Sequence, residues 1–320
     1  MPSMYGDIAL YTGTASPELA REVAQALGVE LSGSDVFKFP NDNIFIRLHG
    51  SVRSRDVFII QPTCPPVNTN IMQLLIYIDT MKRDSAGRVT AVVPYYGYGR
   101  TDKKDQPRVP ITARLVADLI TVAGADRCLM MDLHARQIQG FFKIPVDDVS
   151  ARHILVQHLS KGDLSNTTVV AADLGGAKRT RDFAETLGVP LALIEKRRSQ
   201  SGVGVSKARA LNLIGDIEGR DAIIHDDEID TAGTVTEAAN FLSQAGARSI
   251  KVVATHPVLS DPATERLRNA PIAEIVVTNT VPIPERKLLP NMTVLSIGPL
   301  LGEVIRRIHL GLSVGAMFDE

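Results

Sequence analysis

The sequence predicts an α/β protein of two duplicated domains, each a mainly parallel sheet flanked by helices. Three observations carry that reading. Short β-branched runs alternate with segments whose apolar residues recur at helical spacing, the pattern of parallel strands covered by helices on both faces. At 320 residues the chain exceeds one ordinary core and suits two of about 150 residues each. The two halves also carry the same landmarks at the same spacing.

Taken in order, Val57-Phe58-Ile59-Ile60, Val89 to Val93, Cys128 to Met131 and Thr168-Val169-Val170 read as buried strands. Leu191 to Ile194, Ala222-Ile223-Ile224, Ile250 to Val253 and Ile275-Val276-Val277 continue the series. Ile71 to Lys82 and Thr234 to Ala245 place apolar residues on one helical face. Gly87-Arg88 introduces one strand and Gly219-Arg220 another. Ala123-Gly124-Ala125 stands 11 residues before His134, and Ala245-Gly246-Ala247 stands 11 residues before His256. Ala-Gly-Ala is also a common helix-ending turn, but the paired landmarks fit a duplicated unit better. The boundary falls near Pro145–Ser150, giving domains of 1–147 and 148–320.

Bulk composition narrows the function. With 44% hydrophobic and 22% charged residues, the chain has the make-up of a globular protein. Its 35 basic residues against 36 acidic ones, with 5% aromatics, give no support for a nucleic-acid partner. Two cysteines, Cys64 and Cys128, cannot make a disulfide framework or a Cys-based zinc site. No apolar run reaches the ~18 residues needed to span a bilayer, and the N-terminus lacks the pattern of a signal peptide. A reducing cytoplasm is the expected address.

The chemistry concentrates in Ala222 to Thr234, which reads Ala-Ile-Ile-His-Asp-Asp-Glu-Ile-Asp-Thr-Ala-Gly-Thr. An apolar strand ends in acids and turns through small and hydroxyl residues into a helix. Backbone N–H groups at such a turn, with the partial positive charge of a helix N-terminus, suit a phosphate. Thr231 and Thr234 offer hydroxyl donors, and Gly233 lets the backbone close on an anion. Asp226 and Asp227 would repel a bare phosphate; they suit ribose hydroxyls or a magnesium ion. Four acids directly after a buried strand exceed what one helix cap needs.

This segment resembles the phosphoribosyl-pyrophosphate loop of type I phosphoribosyltransferases and ribose-phosphate diphosphokinases. The remaining motifs favour the second family: Ile59 to Cys64, Pro94 to Arg100, Asp102 to Asp105, Met131 to His134, Gln137 to Phe142 and Lys196-Arg197-Arg198. The tail from Ser313 to Phe318 resembles that family's C-terminus, so the likeness covers essentially the whole chain. It implies two type I phosphoribosyltransferase-like domains, the first with the ATP site and subunit contacts, the second with the sugar-phosphate loop and a lid.

By that resemblance, Lys196 and Arg198 are the catalytic cations, on a mobile loop after the Leu191–Ile194 strand, with Ser199 to Ser206 as the closing lid. A transferring phosphoryl group spreads charge that such cations neutralise. His134 helps bind magnesium and ATP phosphates, and Asp173 is the second Mg2+ contact. Asp173-Leu174-Gly175-Gly176 also reads as an anion-accepting turn. Arg100, Thr101, Asp102 and Lys103 belong to the ATP loop. Phe39, Asn41 and Asn43 correspond to an adenine-recognition loop lent by a neighbouring subunit. Asn41 and Asn43 stand where most members carry Asp and Glu, and Thr101 replaces the usual Gln. Asparagine can still bind adenine's exocyclic amine, but without charge. Asp226, Asp227, Asp230, Thr231, Ala232, Gly233 and Thr234 hold ribose 5-phosphate, with Asp230 a candidate base. Ser51, Arg53, Ser85, Arg108 and Ser313 match positions that bind regulatory phosphate or ADP. The implied reaction is attack by the anomeric hydroxyl on the β-phosphorus of ATP, releasing AMP, in a homo-oligomer, a hexamer by resemblance. A transferase that consumes the product would not need lid and ATP loop together. A non-catalytic paralogue would be expected to have lost Lys196, Arg198, His134 or the acids, and all are present.

Overall fold

The structure, a computed structural model, describes residues 5–198 and 209–318. Its elements divide into two compact units.

The first unit begins with β1 (Ile8–Thr12), α1 (Pro17–Leu27), β2 (Ser34–Lys38), β3 (Ile44–Leu48) and β4 (Asp56–Ile60). It continues through α2 (Val67–Arg83), β5 (Arg88–Val93), α3 (Thr112–Ala123), β6 (Arg127–Met131) and β7 (Val146–Val149). Its main sheet runs β1-β4-β5-β6-β7, every neighbour parallel. Strand geometry explains the unbroken apolar runs. In β4, Val57 and Ile59 join one core cluster with Val89, Ala91 and Val93 of β5. The intervening Phe58 and Ile60 are fully buried on the opposite face. With both faces covered, Val57 to Ile60 form an unbroken apolar run. The antiparallel hairpin β2-β3 forms its own two-stranded sheet.

The second unit contains α4 (Arg152–Leu159), β8 (Thr167–Ala171), α5 (Ala177–Leu187), β9 (Leu191–Arg198), β10 (Arg209–Ile214) and β11 (Asp221–Glu228). It continues with α6 (Gly233–Gln244), β12 (Ser249–His256), α7 (Ala263–Asn269), β13 (Glu274–Thr278) and β14 (Met292–Leu295). Its sheet order is β10-β9-β8-β11-β12-β13-β14, parallel except for the antiparallel β9-β10 pair.

The repeated Ala-Gly-Ala landmarks end equivalent helices. Gly124 follows α3 at φ 109° and Gly246 follows α6 at φ 87°, a left-handed conformation that a Cβ would disfavour. Each is followed by a parallel strand, β6 or β12.

Two features depart from the sequence reading. Residues 280–282 and 296–318 belong to the first unit, so the chain returns to it after β14. The returning helix α8 (Gly298–Leu310) packs on α1. Gly298 and Gly302 face it so closely that an added Cβ would lie 2.6 Å from the Glu22 Cβ and 2.8 Å from the Ala26 Cβ. Arg88 grips the fully buried Asp56 and donates to the Ile308 carbonyl, while His309 Nδ1 lies 2.8 Å from Asp56 Oδ2. Second, the Leu191–Ile194 strand does not stop before the basic run. β9 continues through Arg198, with Lys196 in register with Leu211 and Arg198 with Arg209. Backbone pairing with β10 extends the strand where the side-chain pattern gives no apolar signal.

Candidate functional site

In a parallel sheet the loops at the carboxyl ends of adjacent strands share one edge, and ligands bind there. In the second unit β8 and β11 are such neighbours, with Ala171 in register with His225. Asp173 lies just past the end of β8, and the acids of β11 close the strand beside it. Alternation splits β11 between two layers. Ala222 and Ile224 enter the core that includes Val235 and Ala238 of α6. On the opposite face, the buried His225 ring stacks on Phe183 of α5 with centroids 4.1 Å apart, and its Nδ1 lies 3.2 Å from Thr180 Oγ1. Asp227 follows two residues on, only 4% exposed, and Arg179 Nη1 of α5 lies 2.5 Å from its Oδ1.

Asp226 has the opposite electrostatics. Burial, the adjacent Asp227 and the charge of Asp173 hold its carboxyl well above the usual carboxylate range, although its Oδ1 accepts the Asp227 N–H at 2.9 Å. A crowded acid of this kind gains from a hydroxyl donor or a cation arriving beside it.

The turn that follows is pinned at both ends. Ile229 N–H donates to the His256 carbonyl at 2.9 Å, and the Ile229 carbonyl accepts from Leu259 N–H at 2.8 Å. Ala232 takes φ 59°, uncommon for a residue with a Cβ. α6 starts at Gly233 with no side-chain cap, leaving a helix N-terminus open to an anion. Thr236 Oγ1 donates to the Ala232 carbonyl at 2.8 Å, and Arg266 Nη1 of α7 donates to the Thr231 carbonyl at 2.9 Å. Asp230, Gly233 and Thr234 are half-buried, Thr231 is exposed and Ala232 is buried.

The first unit has the corresponding pair of loops after β5 and β6. Tyr98 at φ 65° starts a tight turn in which Thr101 N–H and Oγ1 both donate to the Tyr98 carbonyl. Arg100 is exposed, whereas Asp102 is buried and accepts from Gln137 Nε2 at 2.6 Å. Asp102 therefore braces the Arg136–Phe141 turn against the loop, and Lys103 Nζ stands 3.4 Å from its other oxygen. His134, after β6, is exposed and lies against Gly99, where an added Cβ would be 3.7 Å from the His134 Cβ. Arg100, Thr101, Asp102 and His134 are thus brought to one edge of one sheet. Phe39, Asn41 and Asn43 form the exposed tip of the β2-β3 hairpin. There Phe39 N–H donates to the Asn43 carbonyl at 2.8 Å, and Asn41 Oδ1 accepts Asn43 N–H. The rings of Phe37, Phe39 and Phe45 cluster with centroids 5.0 to 5.8 Å apart.

Comparison with known proteins gives this geometry its context. Residues 8–124 match the N-terminal domain of ribose phosphate pyrophosphokinase, and residues 197–319 match the phosphoribosyl synthetase-associated domain. The ribose-phosphate pyrophosphokinase of Caldanaerobacter subterraneus subsp. tengcongensis is 50% identical over 310 residues, 97% of either chain. The chain belongs to the ribose-phosphate pyrophosphokinase family. The Clostridium acetobutylicum enzyme of that name is 47% identical over 98% of either chain. The crystal structure of phosphoribosylpyrophosphate synthetase from Mycobacterium smegmatis superposes with a TM-score of 0.89 at 44% identity, covering 95% of this chain and 99% of that one. The fold is accordingly that of the pyrophosphokinase family, two mainly parallel sheets flanked by helices.

The other residues singled out from the sequence are distributed as follows. Lys196 and Arg198 lie in the backbone of β9, and the lid segment Ser199 to Ser206 falls outside the described residues. Asp173 Oδ1 accepts the Gly176 N–H at 3.0 Å, shaping the turn before α5. Ser51, Arg53 and Ser85 come together where 52–54 runs beside 84–86. Arg53 bridges to Ala86, Arg53 N–H donates to Ser51 Oγ, and Ser54 N–H donates to the Ser85 carbonyl. Arg108 is exposed at φ 65°, and Ser313 Oγ accepts the Ala316 N–H after α8. Sequence reasoning missed Arg179, Thr180 and Arg266, and marked Gln137 only as part of the Gln137 to Phe142 motif, with no role of its own. Arg179, Thr180 and Arg266 act from helices remote in sequence from the groups they hold, so no local motif marks them.

Proposed function

We propose that this chain performs the reaction of its family, transferring the β,γ-diphosphate of ATP to the 1-hydroxyl of ribose 5-phosphate. The anomeric oxygen attacks the β-phosphorus, the bond from that phosphorus to the α–β bridging oxygen breaks, and AMP leaves. The hydroxyl proton passes to a base, for which Asp230 is the candidate, or to water. The reading rests above all on near-full-length relatives of 47–50% identity that carry this activity in their names.

Asp226 and Asp227 suit the ribose hydroxyls, which donate to carboxylates. The uncapped start of α6, with Thr231, Ala232, Gly233 and Thr234, suits the 5-phosphate. Arg100, Thr101 and His134 suit the ATP phosphates, with Asp102 bracing their loop from within. Lys196 and Arg198 neutralise charge on the moving diphosphate.

Magnesium fits the chemistry of these groups. The Asp226 carboxyl, crowded by burial, Asp227 and the charge of Asp173, gains from a hard cation arriving beside it. Among the described residues no three His, Cys, Asp or Glu side chains gather into a metal site. His134 in the first unit and Asp173 in the second would each contact Mg2+, which when bound supplies charge neutralisation for the diphosphate.

Phe39, Asn41 and Asn43 would meet adenine in a neighbouring subunit of a hexamer, with Ser51, Arg53, Ser85, Arg108 and Ser313 binding regulatory phosphate or ADP. The address we propose is cytoplasmic; among the described residues no helix is long and apolar enough to cross a membrane.

The direct test is AMP formation from ATP and Mg2+ with and without ribose 5-phosphate. AMP release should require the sugar phosphate, and its absence overturns the proposal. Lys196→Ala should lower turnover by about 10³-fold with ribose 5-phosphate binding kept; near-normal turnover removes Lys196 from the mechanism. Light scattering at working concentration reads the oligomer directly.

A further inference from the structure

We infer that Arg266 is a positioning residue for the sugar-phosphate turn, fixing the direction of the Thr231–Ala232 peptide so that its N–H faces the ligand. This rests on the reading of Asp226–Thr234 as the ribose 5-phosphate loop.

In a trans peptide the carbonyl and the following N–H point in opposite directions. Arg266 Nη1 donates to the Thr231 carbonyl at 2.9 Å, so the Ala232 N–H is directed away from the guanidinium. Without that anchor the plane could rotate and exchange donor for acceptor at the ligand's face, turning an attractive wall into a repulsive one for an anion. Ala232 adds to the need. At φ 59° it holds a left-handed conformation that costs free energy for a residue with a Cβ and persists only where neighbours impose it. The same left-handed kink is what brings successive N–H groups into one anion-binding concavity. Two neighbours impose it here: Thr236 Oγ1 holds the Ala232 carbonyl from inside α6, and Arg266 holds the Thr231 carbonyl from α7. An added Cβ on Gly233 would stand 3.4 Å from Arg266 Nη1, so the guanidinium seats against the space that glycine leaves.

Arg266 is exposed on α7. That separates a positioning role from a structural one, because an exposed arginine contributes little to global stability.

The experiment uses the full chain and four proteins: wild type, Arg266→Ala, Arg266→Lys and, as a control within the loop, Thr234→Val. Ribose 5-phosphate affinity is measured by titration calorimetry, and steady-state kinetics separate the KM for each substrate from kcat. Arg266→Ala should weaken ribose 5-phosphate binding about tenfold, the scale of a lost charge-assisted hydrogen bond. The KM for ATP and the melting temperature should stay near wild type. Arg266→Lys, which can still donate to the carbonyl, should recover part of the affinity. Unchanged ribose 5-phosphate affinity in Arg266→Ala, with weakened binding in Thr234→Val, overturns the positioning role and leaves the loop assignment standing. Unchanged affinity in both variants overturns the loop assignment itself. Equal losses in Arg266→Ala and Arg266→Lys, with a lowered melting temperature, would mark Arg266 as structural and also overturn the inference.

Discussion

Asp227 has almost no exposed surface, and the Arg179 guanidinium 2.5 Å away sets its charge against a cation from α5. Replacing Arg179 with Met strips that cation from a buried acid. The expected cost is roughly 3 kcal/mol of unfolding free energy, because a buried carboxylate loses its compensation. Urea unfolding should show the Arg179→Met loss partly reversed in the Arg179→Met/Asp227→Asn double variant, where the charge itself is removed. The two thiols give a second expectation. Burial pushes Cys64 up to about 11 and Cys128 higher still. The thiolate is the reactive form, so neither should react appreciably with iodoacetamide at pH 8 in the native protein. Mass spectrometry should find both alkylated only once the chain is unfolded. At this scale the sequence exposed the acids and hydroxyls of the turn, because they are contiguous. It did not expose Arg179 or Arg266, which reach the turn from α5 and α7 and look like ordinary surface charges in any local window.

Among the elements, legibility followed burial. β4, β5, β6, β8, β11, β12 and β13 each contain an apolar run that the sequence marks as a strand, since both faces of these parallel sheets are covered. The β2-β3 hairpin was legible only at its tip, residues 39–43; its strands went unmarked because their residues are mostly half-buried or exposed. β7 escaped because Val-Asp-Asp-Val offers no continuous apolar stretch, and the end of β9 because Lys-Arg-Arg reads as a surface loop. The α1–α8 contact tests packing at this scale. Gly302 leaves room for only hydrogen against Ala26. Gly302→Val should force the helices apart and lower stability by about 1–3 kcal/mol, measured by thermal or urea unfolding. An unchanged midpoint would mean that α8 does not seat as described.

For the whole molecule, the α/β class and the doubling of the sheet were legible because the strand–helix alternation repeats and the Ala-Gly-Ala turns end equivalent helices. The return of residues 296–318 to the first unit was not, because a chain's destination is set by long-range contacts that no local pattern records. Removing those residues should therefore act unevenly. Hydrogen exchange of a chain ending at Leu295 should show lost protection in β1 and β4, while β8, β11 and β12 keep theirs. Equal loss in both units would contradict the division.

That returning helix also orders events during synthesis. Ser296 hydrogen-bonds to Glu22 and His309 reaches Asp56, so the layer over α1 leaves the ribosome well after the strands beneath it. The later half of the polypeptide can reach its finished packing while the earlier half still waits with an uncovered flank. A nascent chain stalled before Gly298 should accordingly need chaperone shelter on its early segment rather than on its most recent one.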